Sequence, residues 1–257
     1  MHKIGFLSLS ALFVLGCAHS TERTEDGELA VLSLRHHYNN AHVVLAGERA
    51  LLVDAGTAED AEALDRSLRE AGVDPEQLVA VVLTHGHTDH AGGAAWFRDH
   101  YGTPIVAGAG DAPLLASGRN DELCPTNGQA RRRLADNQAA RYEPFEADLL
   151  VAEPLDLEAR FEFPARVVPV PGHTEGSLVV LAGTHALVGD LFRGSVVGHD
   201  AELHFYICEP EANRRDIVSL LAGEASEAET FFVGHFGPVT RDAVVERFGG
   251  SEAGGVG

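Results

Sequence analysis

The chain has 257 residues, enough for one large core or two small domains, and 45% of them are hydrophobic, as in a folded globular protein. Its 39 acidic residues against 19 basic ones give a formal charge of −20. That field repels phosphate backbones and anionic headgroups, so nucleic acid is excluded as an expected partner. Lysine occurs only at Lys3, which leaves arginine as the cation for any substrate contact further along.

In chain order, the first element is a targeting segment over residues 1–17. A basic start, Met1-His2-Lys3, precedes the apolar run IGFLSLSALFVLG, which is too short to span a bilayer comfortably. Val14-Leu15-Gly16-Cys17 resembles a bacterial lipobox, in which Cys17 is lipidated and becomes the mature N-terminus, although Leu15 stands where a small residue is usual. Gly16-Cys17-Ala18 also fits an ordinary cleavage site. The expected location is the periplasmic face of the outer membrane, because Ala18 rather than an aspartate follows the cysteine. A soluble periplasmic or secreted form is the alternative. Membrane contact is expected only through that anchor. Residues 18–28, AHSTERTEDGE, are polar and predict a tether. In an exported protein Cys124 and Cys208 form a disulfide or remain two buried thiols, and their spacing does not decide between these.

Short apolar runs bounded by turn residues predict strands over 29–35, 42–46, 50–54, 79–83 and 104–108. Ala61, Leu64, Leu68 and Ala71 share one helical face and predict a helix over 58–72, with another over 92–102. The later half repeats the alternation. Strands are predicted over 165–170, 177–183, 185–190 and 230–234, and helices over 211–223 and 240–249. Strands mixed with helices on this length imply an α/β protein whose sheets are covered by helices. The tail 250–257 is expected to be disordered.

The densest chemistry lies in THGHTDHAG, residues 84–92, immediately after the apolar run at 79–83. His85 and His87 are two apart and project to one side of extended chain, while Asp89 and His90 need a turn to join them. Neutral imidazoles suit zinc or iron, and a carboxylate adds a harder ligand. Four such groups on one loop are served more simply by two adjacent ions than by one ion that keeps an open position. Three further candidates also follow apolar runs beside glycine: His173, Asp190 and His235.

Taken in order, HxHxDH at 85–90, PGHTEGS at 171–177, VGD at 188–190 and GHFGP at 234–238 resemble the metallo-β-lactamase superfamily. LLVDAG at 51–56 resembles that family's early strand and turn, so the likeness runs from about residue 30 to 247. It implies a four-layer αβ/βα sandwich over residues 29–249 with two divalent ions at one edge. Zinc is expected, with iron or manganese as alternatives. In that pattern His85, His87 and His173 hold one ion, Asp89, His90 and His235 hold the other, and Asp190 bridges them. Asp89 and Asp190 are the carboxylates expected to matter most for catalysis. Glu175 departs from the family's common proline at a position that is not a ligand.

The implied chemistry is hydrolysis of an ester, thioester, lactone or amide by a hydroxide bridging two ions, whose parent water has its pKa lowered to about 7. The ligand set resembles that of glyoxalase II and the acyl-homoserine lactonases. However, only residues 236–257 follow His235, too few for glyoxalase II's helical domain, and DLFRGS lacks the lactonase tyrosine. A true β-lactamase is a lesser alternative, since the commonest type has cysteine in place of Asp190 and many use lysine for the substrate carboxylate. A single-iron enzyme resembling persulfide dioxygenases would need only His85, His173 and Asp190. A non-catalytic binding protein would not need seven ligands. The substrate is expected to be a small molecule.

Substrate selection is expected between His90 and His173, where residues 117–145 predict a lid of short helices. A second wall is expected over 196–210, with His204 and Tyr206 as candidate proton donors. Arg131, Arg132 and Arg133 either grip an anionic substrate or form a solvated helix face. Asp54 either orients the histidine loop or caps a strand end. His36, His37, His42, His100, His185, His199 and His204 sit in no ligand-like setting and are expected at the surface or satisfied in the core.

Overall fold

The computed structural model describes residues 19–250. The targeting segment with Cys17 and nearly all of the expected tail lie outside the described residues. Strands β1 (His19–Asp26), β2 (Leu29–His36), β3 (Asn39–Ala46) and β4 (Arg49–Val53) run antiparallel. They continue into the parallel strands β5 (Leu78–Val82), β6 (Ile105–Gly108) and β7 (Leu149–Val151), giving a seven-stranded sheet in sequence order. Between its parallel strands lie α1 (Ala61–Glu70), α2 (Thr88–Ala91), α3 (Ala94–Tyr101), α4 (Ala112–Ser117) and α5 (Gly128–Ala139).

The second sheet uses β8 (Leu155–Asp156), β9 (Arg166–Pro169), β10 (Leu178–Ala182) and β11 (His185–Gly189). Beside the ribbon of β12 (Arg193–Gly194) and β13 (Ala201–Glu202), it is completed by β14 (Thr230–Val233) and β15 (Val239–Thr240). Its order is β15-β14-β11-β10-β9-β8, with β11 and β14 parallel. Short α6 (Glu158–Phe161) precedes β9, and α7 (Pro210–Ala222) and α8 (Arg241–Phe248) belong to this half.

Period-2 alternation explains why both faces of these strands are apolar. In β4, Leu51 and Val53 face the second sheet's Val167, Val180, Leu187 and Phe232. Leu52 faces the opposite way, toward Leu64 and Leu68 of α1 and Phe97 of α3. On the far side, Val179, Val188 and Phe231 meet Ile217 and Leu220 of α7 and Val244 and Phe248 of α8. Each buried Leu, Val or Phe contributes about 1.5–3 kcal/mol relative to exposure, so the central strands are long apolar runs rather than half-polar ones. The result is the expected four-layer αβ/βα sandwich, with loops free to carry chemistry at one edge.

Two expectations are corrected. Residues 19–26, within the expected tether 18–28, instead form edge strand β1, paired residue for residue with β2. An edge strand bonds on one side only, so a polar composition suits it. Asp26 also anchors the strand across the sandwich by accepting from the Thr184 backbone N–H and hydroxyl. The expected helix 92–102 is confined to α3, which begins at Ala94; the short α2 lies before the expected range, and Gly92-Gly93 parts the two where a Cβ on Gly93 would lie 2.3 Å from the Ala55 carbonyl oxygen.

Candidate active site

Five strand ends meet at one edge of the sandwich. Asp54 follows β4, residues 84–90 follow β5, His173 follows β9, Asp190 follows β11 and His235 follows β14. Sheet ladders fix the positions of these ends, and the departing loops point their side chains into a shared space. The Asp190 Oδ2 atom is the common focus. It lies 3.4 Å from His90 Nε2, 3.3 Å from His235 Nε2, 3.8 Å from His85 Nε2 and 3.9 Å from His173 Nε2. His173 Nε2 is 3.1 Å from His87 Nδ1, and Asp89 Oδ2 is 3.6 Å from His235 Nε2 and 4.0 Å from His90 Nε2. The structure therefore brings all seven sequence-selected side chains together. It adds an eighth, His204, whose Nε2 is 3.0 Å from Asp190 Oδ2.

The donor sets separate by geometry into His85, His87 and His173, and Asp89, His90 and His235. Each set offers ligand atoms within 4.8 Å of one another, as do His85, His90 and Asp190 and also His173, Asp190 and His204. The inward Nε2 atoms of His85, His90 and His204 and the Oδ1 of Asp190 are buried without hydrogen-bond partners. Leaving such polar atoms unpaired costs about 1–3 kcal/mol each. A cation at this position would relieve the cost, so the residues present fit divalent metal.

The outward nitrogens are tied back. His90 Nδ1–H donates to Asp54 Oδ2 at 2.8 Å, and His85 Nδ1–H donates at 3.1 Å to the Thr84 hydroxyl, which itself donates to Asp54 Oδ2. His235 Nδ1–H donates to the Tyr38 carbonyl and His87 Nε2–H to Asp121 Oδ1. These bonds fix ring orientation and turn lone pairs inward. Asp54 therefore orients the histidine loop. It adopts a left-handed backbone (φ 63°), which aspartate tolerates.

Electrostatics follow from crowding. Burial, then the neighbouring imidazoles His90, His173 and His87, pushes His85 well below the ordinary histidine pKa. Burial, then His87 and His204, does the same to His173. Burial opposes charge on His90 and His235 as well, but Asp190 and Asp89 outweigh it and raise both, with Asp54 also acting on His90. Asp190 is held well below the carboxylate range because His204, His235 and His90 overcome its burial. One side thus offers neutral imidazoles, and the other is a focus of negative potential.

Three buried residues that sequence reading missed brace the loops. Asp111 accepts from the Gly86 and Gly176 backbone N–H groups and the Thr174 hydroxyl, and so joins the two ligand-bearing loops of opposite sheets. Burial raises its pKa despite those bonds. Asn213 of α7 donates to the carbonyls of Gly172 and Leu191, the neighbours of His173 and Asp190. Asn40 donates to the carbonyls of Val233 and Phe236, which flank the His235 loop. No local pattern marks them: Asp111 closes the turn after β6, Asn213 stands among charged residues at the start of α7 and Asn40 lies near the start of β3.

A cavity of about 410 Å³ opens onto this edge. Leu123, Ala130, Phe205 and Phe236 supply apolar lining, beside Asp89, Asp190, His204 and His235. The expected lid of short helices at 117–145 is mainly one 12-residue helix, α5, capped by Asn127, with irregular chain around it. Cys124 and Cys208 form a disulfide, which ties this segment to the second wall. Backbone bonds from Thr126 to Phe205 and from Ile207 to Cys124 reinforce the tie.

Ala130, Arg133 and Asn137 on one face of α5, with Ala140 just past its end, line the cavity, whereas Arg131 and Arg132 do not. The Arg133 guanidinium sits 5.1 Å from the Tyr38 ring centre. Tyr206 is corrected as a proton donor: its hydroxyl donates to the Ala130 carbonyl and accepts from Asn137, so it joins the walls. His204 is corrected in the other direction, since it is 3% exposed and faces the carboxylate focus. Of the remaining histidines, His37, His100 and His199 are exposed. His42 is a satisfied core residue bonded to Ser33 and the Val233 carbonyl.

Comparison with known proteins agrees with this geometry. The family model described as the metallo-beta-lactamase superfamily matches residues 34–235, and the chain belongs to that superfamily. The probable metallo-hydrolase YflN of Bacillus subtilis is 25% identical over 206 residues, covering 74% of this chain and 76% of that protein. A hydroxyacylglutathione hydrolase of Anaeromyxobacter dehalogenans is 32% identical over 152 residues, 59% of this chain and 45% of the hydrolase. The chain spans less than half the length of the hydroxyacylglutathione hydrolases it matches. The solved structure of DIM-1 metallo-beta-lactamase shares the fold, with a TM-score of 0.61 at 16% identity over 89% of this chain and 94% of that one.

Proposed function

We propose that this protein is a dinuclear metal hydrolase that cleaves an ester, thioester, lactone or amide bond in a small molecule. The observation that carries the reading is the convergence of seven side chains from separate strand ends into two donor sets around Asp190, with buried inward atoms that lack partners. His85, His87 and His173 would hold one ion and Asp89, His90 and His235 the other, with Asp190 between them and zinc the first expectation. When bound, such a pair supplies Lewis acidity and a water of lowered pKa. The chain's own residues do the positioning. Asp54, Thr84, Asp121 and the Tyr38 carbonyl hold the imidazoles, and the cavity walls restrict water and orient the substrate.

Similarity to hydroxyacylglutathione hydrolases favours thioester or ester chemistry over β-lactam cleavage, and the absence of lysine beyond Lys3 supports the same preference. The single-iron dioxygenase reading uses only His85, His173 and Asp190. The packing of Asp89, His90 and His235 into a second donor set favours the hydrolase. Metal analysis of protein purified without added metal, combined with turnover in the absence of oxygen, tests the choice. About two ions per chain are expected, with continued hydrolysis of an activated ester or lactone. Asp89→Ala should lower that rate by about a hundredfold or more. One iron per chain, oxygen consumption on a persulfide and no esterase activity would overturn the reading.

The proposed location is the periplasmic face of the outer membrane through lipidated Cys17. The Cys124–Cys208 disulfide supports an oxidising compartment. Among the described residues no helix is long and apolar enough to cross a membrane. Cys17→Ser should release the protein from the detergent phase, and a soluble wild-type form beginning at His19 would overturn lipidation.

A further inference from the structure

We infer that His204 is an additional ligand of the metal centre, beside the seven side chains that the family pattern supplies. The inference rests on the metal reading above and concerns a residue outside every motif that led to it.

Among the five Nε2 atoms around Asp190 Oδ2, that of His204 is the nearest, at 3.0 Å against 3.3–3.9 Å for the others. Its ring stacks on His235 with centroids 5.2 Å apart and meets His173 edge-on at 5.0 Å, so it stands over both donor sets. Although His204 Nε2 is close to the carboxylate, it is buried without hydrogen-bond geometry to any partner, as are the inward nitrogens of His85 and His90. His204 also shares the outward arrangement of His235. In both, Nδ1 faces a backbone carbonyl, Tyr206 at 3.3 Å and Tyr38 at 3.0 Å. With Nδ1–H donating to that carbonyl, Nε2 presents its lone pair to the centre, the state an imidazole needs to ligate.

The Tyr206 N–H also lies 3.3 Å from Nδ1 and would suit the opposite tautomer, in which Nε2–H donates to Asp190. The two tautomers give different outcomes with metal. A ligand changes the ion's affinity and coordination, whereas a hydrogen-bond donor to Asp190 leaves the number of nitrogen donors unchanged. The surrounding chain fixes the ring in either case. The His204 carbonyl accepts from the Thr126 hydroxyl, and the Arg193 guanidinium covers the ring of neighbouring Phe205 at 4.4 Å.

The test is chelator competition and cobalt(II) spectroscopy on wild-type protein and on His204→Ala, His204→Gln and His199→Ala, with circular dichroism to confirm folding. Exposed His199 is the control histidine. Both His204 variants should bind one of two ions at least about tenfold more weakly, and their cobalt absorption should change, while His199→Ala matches the wild type. Folded His204 variants with an unchanged cobalt spectrum would overturn this inference whatever their affinity, since a hydrogen-bond donor to Asp190 also tunes affinity, and would leave the hydrolase reading intact. Wild-type protein that binds no divalent ion would overturn both.

Discussion

Two regions face each other across the cavity, and they are held in place differently. At the strand-end edge, each of the seven candidate ligands follows a buried strand by one to eight residues, and the loops that carry them are braced by buried polar groups such as Asp54, Asp111 and Asn213. The opposite wall, formed by residues 117–145 and 196–210, has little sheet of its own. It relies on a disulfide, a short stretch of cross-chain backbone bonding and the Tyr206 hydroxyl. The edge sets the chemistry, because its atoms must hold positions to within a fraction of an ångström. In the proposed hydrolase the wall, His204 apart, would set the substrate, because its contacts are separate from the ladders that support the ligands.

Substitutions should separate these roles. The largest effect is expected at the edge: His87→Ala should lower hydrolysis by about a hundredfold or more while circular dichroism and the thermal melt remain those of a folded sandwich. Loss of fold would mean that the side chain is mainly structural. Next is the brace. Asp54→Asn keeps the volume but weakens the hold on His90 and Thr84, and metal affinity measured by chelator competition should fall about 10–100-fold.

On the wall, Cys124→Ser with Cys208→Ser should cost about 2–4 kcal/mol of stability, read as a lower melting temperature, and raise KM more than it lowers kcat. An equal loss at an edge residue's level would erase the distinction between the regions. The smallest effect is expected at Arg133, the arginine lining the cavity in a strongly acidic chain. Arg133→Gln should raise KM about fivefold for a carboxylate-bearing ester, in line with an exposed charge contact of about 1 kcal/mol. A neutral ester should be unaffected, and Arg132→Gln should change neither.

The same division decides what could be read from the sequence. Strands β2 to β6 and β9 to β11 were legible because their apolar runs answer to burial on two faces, and the ligand loops were legible because each follows such a run beside glycine. Strand β1 was not, because edge position removes the apolar pattern and leaves a composition like that of a linker. The place of the wall was legible, since segments 117–145 and 196–210 both line the cavity, but the tie between them was not: it comes from Cys124 meeting Cys208 across 84 residues, a contact with no local periodicity. His204 is legible as a wall residue but not as a neighbour of Asp190, because HFY follows no strong strand and has no glycine turn to announce its direction. Tyr206, two residues on, lines the cavity as the second wall requires, while its hydroxyl is bonded to Ala130 and Asn137.

Asp111 carries a consequence for motion. Its carboxylate holds the Gly86 amide, on the loop of the first sheet, and the Gly176 amide, on the loop of the second. Glycine at 108, the end of β6, lets the backbone leading to Asp111 touch the second loop, since a Cβ on Gly108 would fall 1.9 Å from the Gly176 carbonyl oxygen. Neither loop can swing open by itself without stranding a buried charge. The two amides, ninety residues apart in sequence, should therefore exchange with deuterium at one common rate, and the catalytic edge should breathe only when the two halves of the sandwich part together.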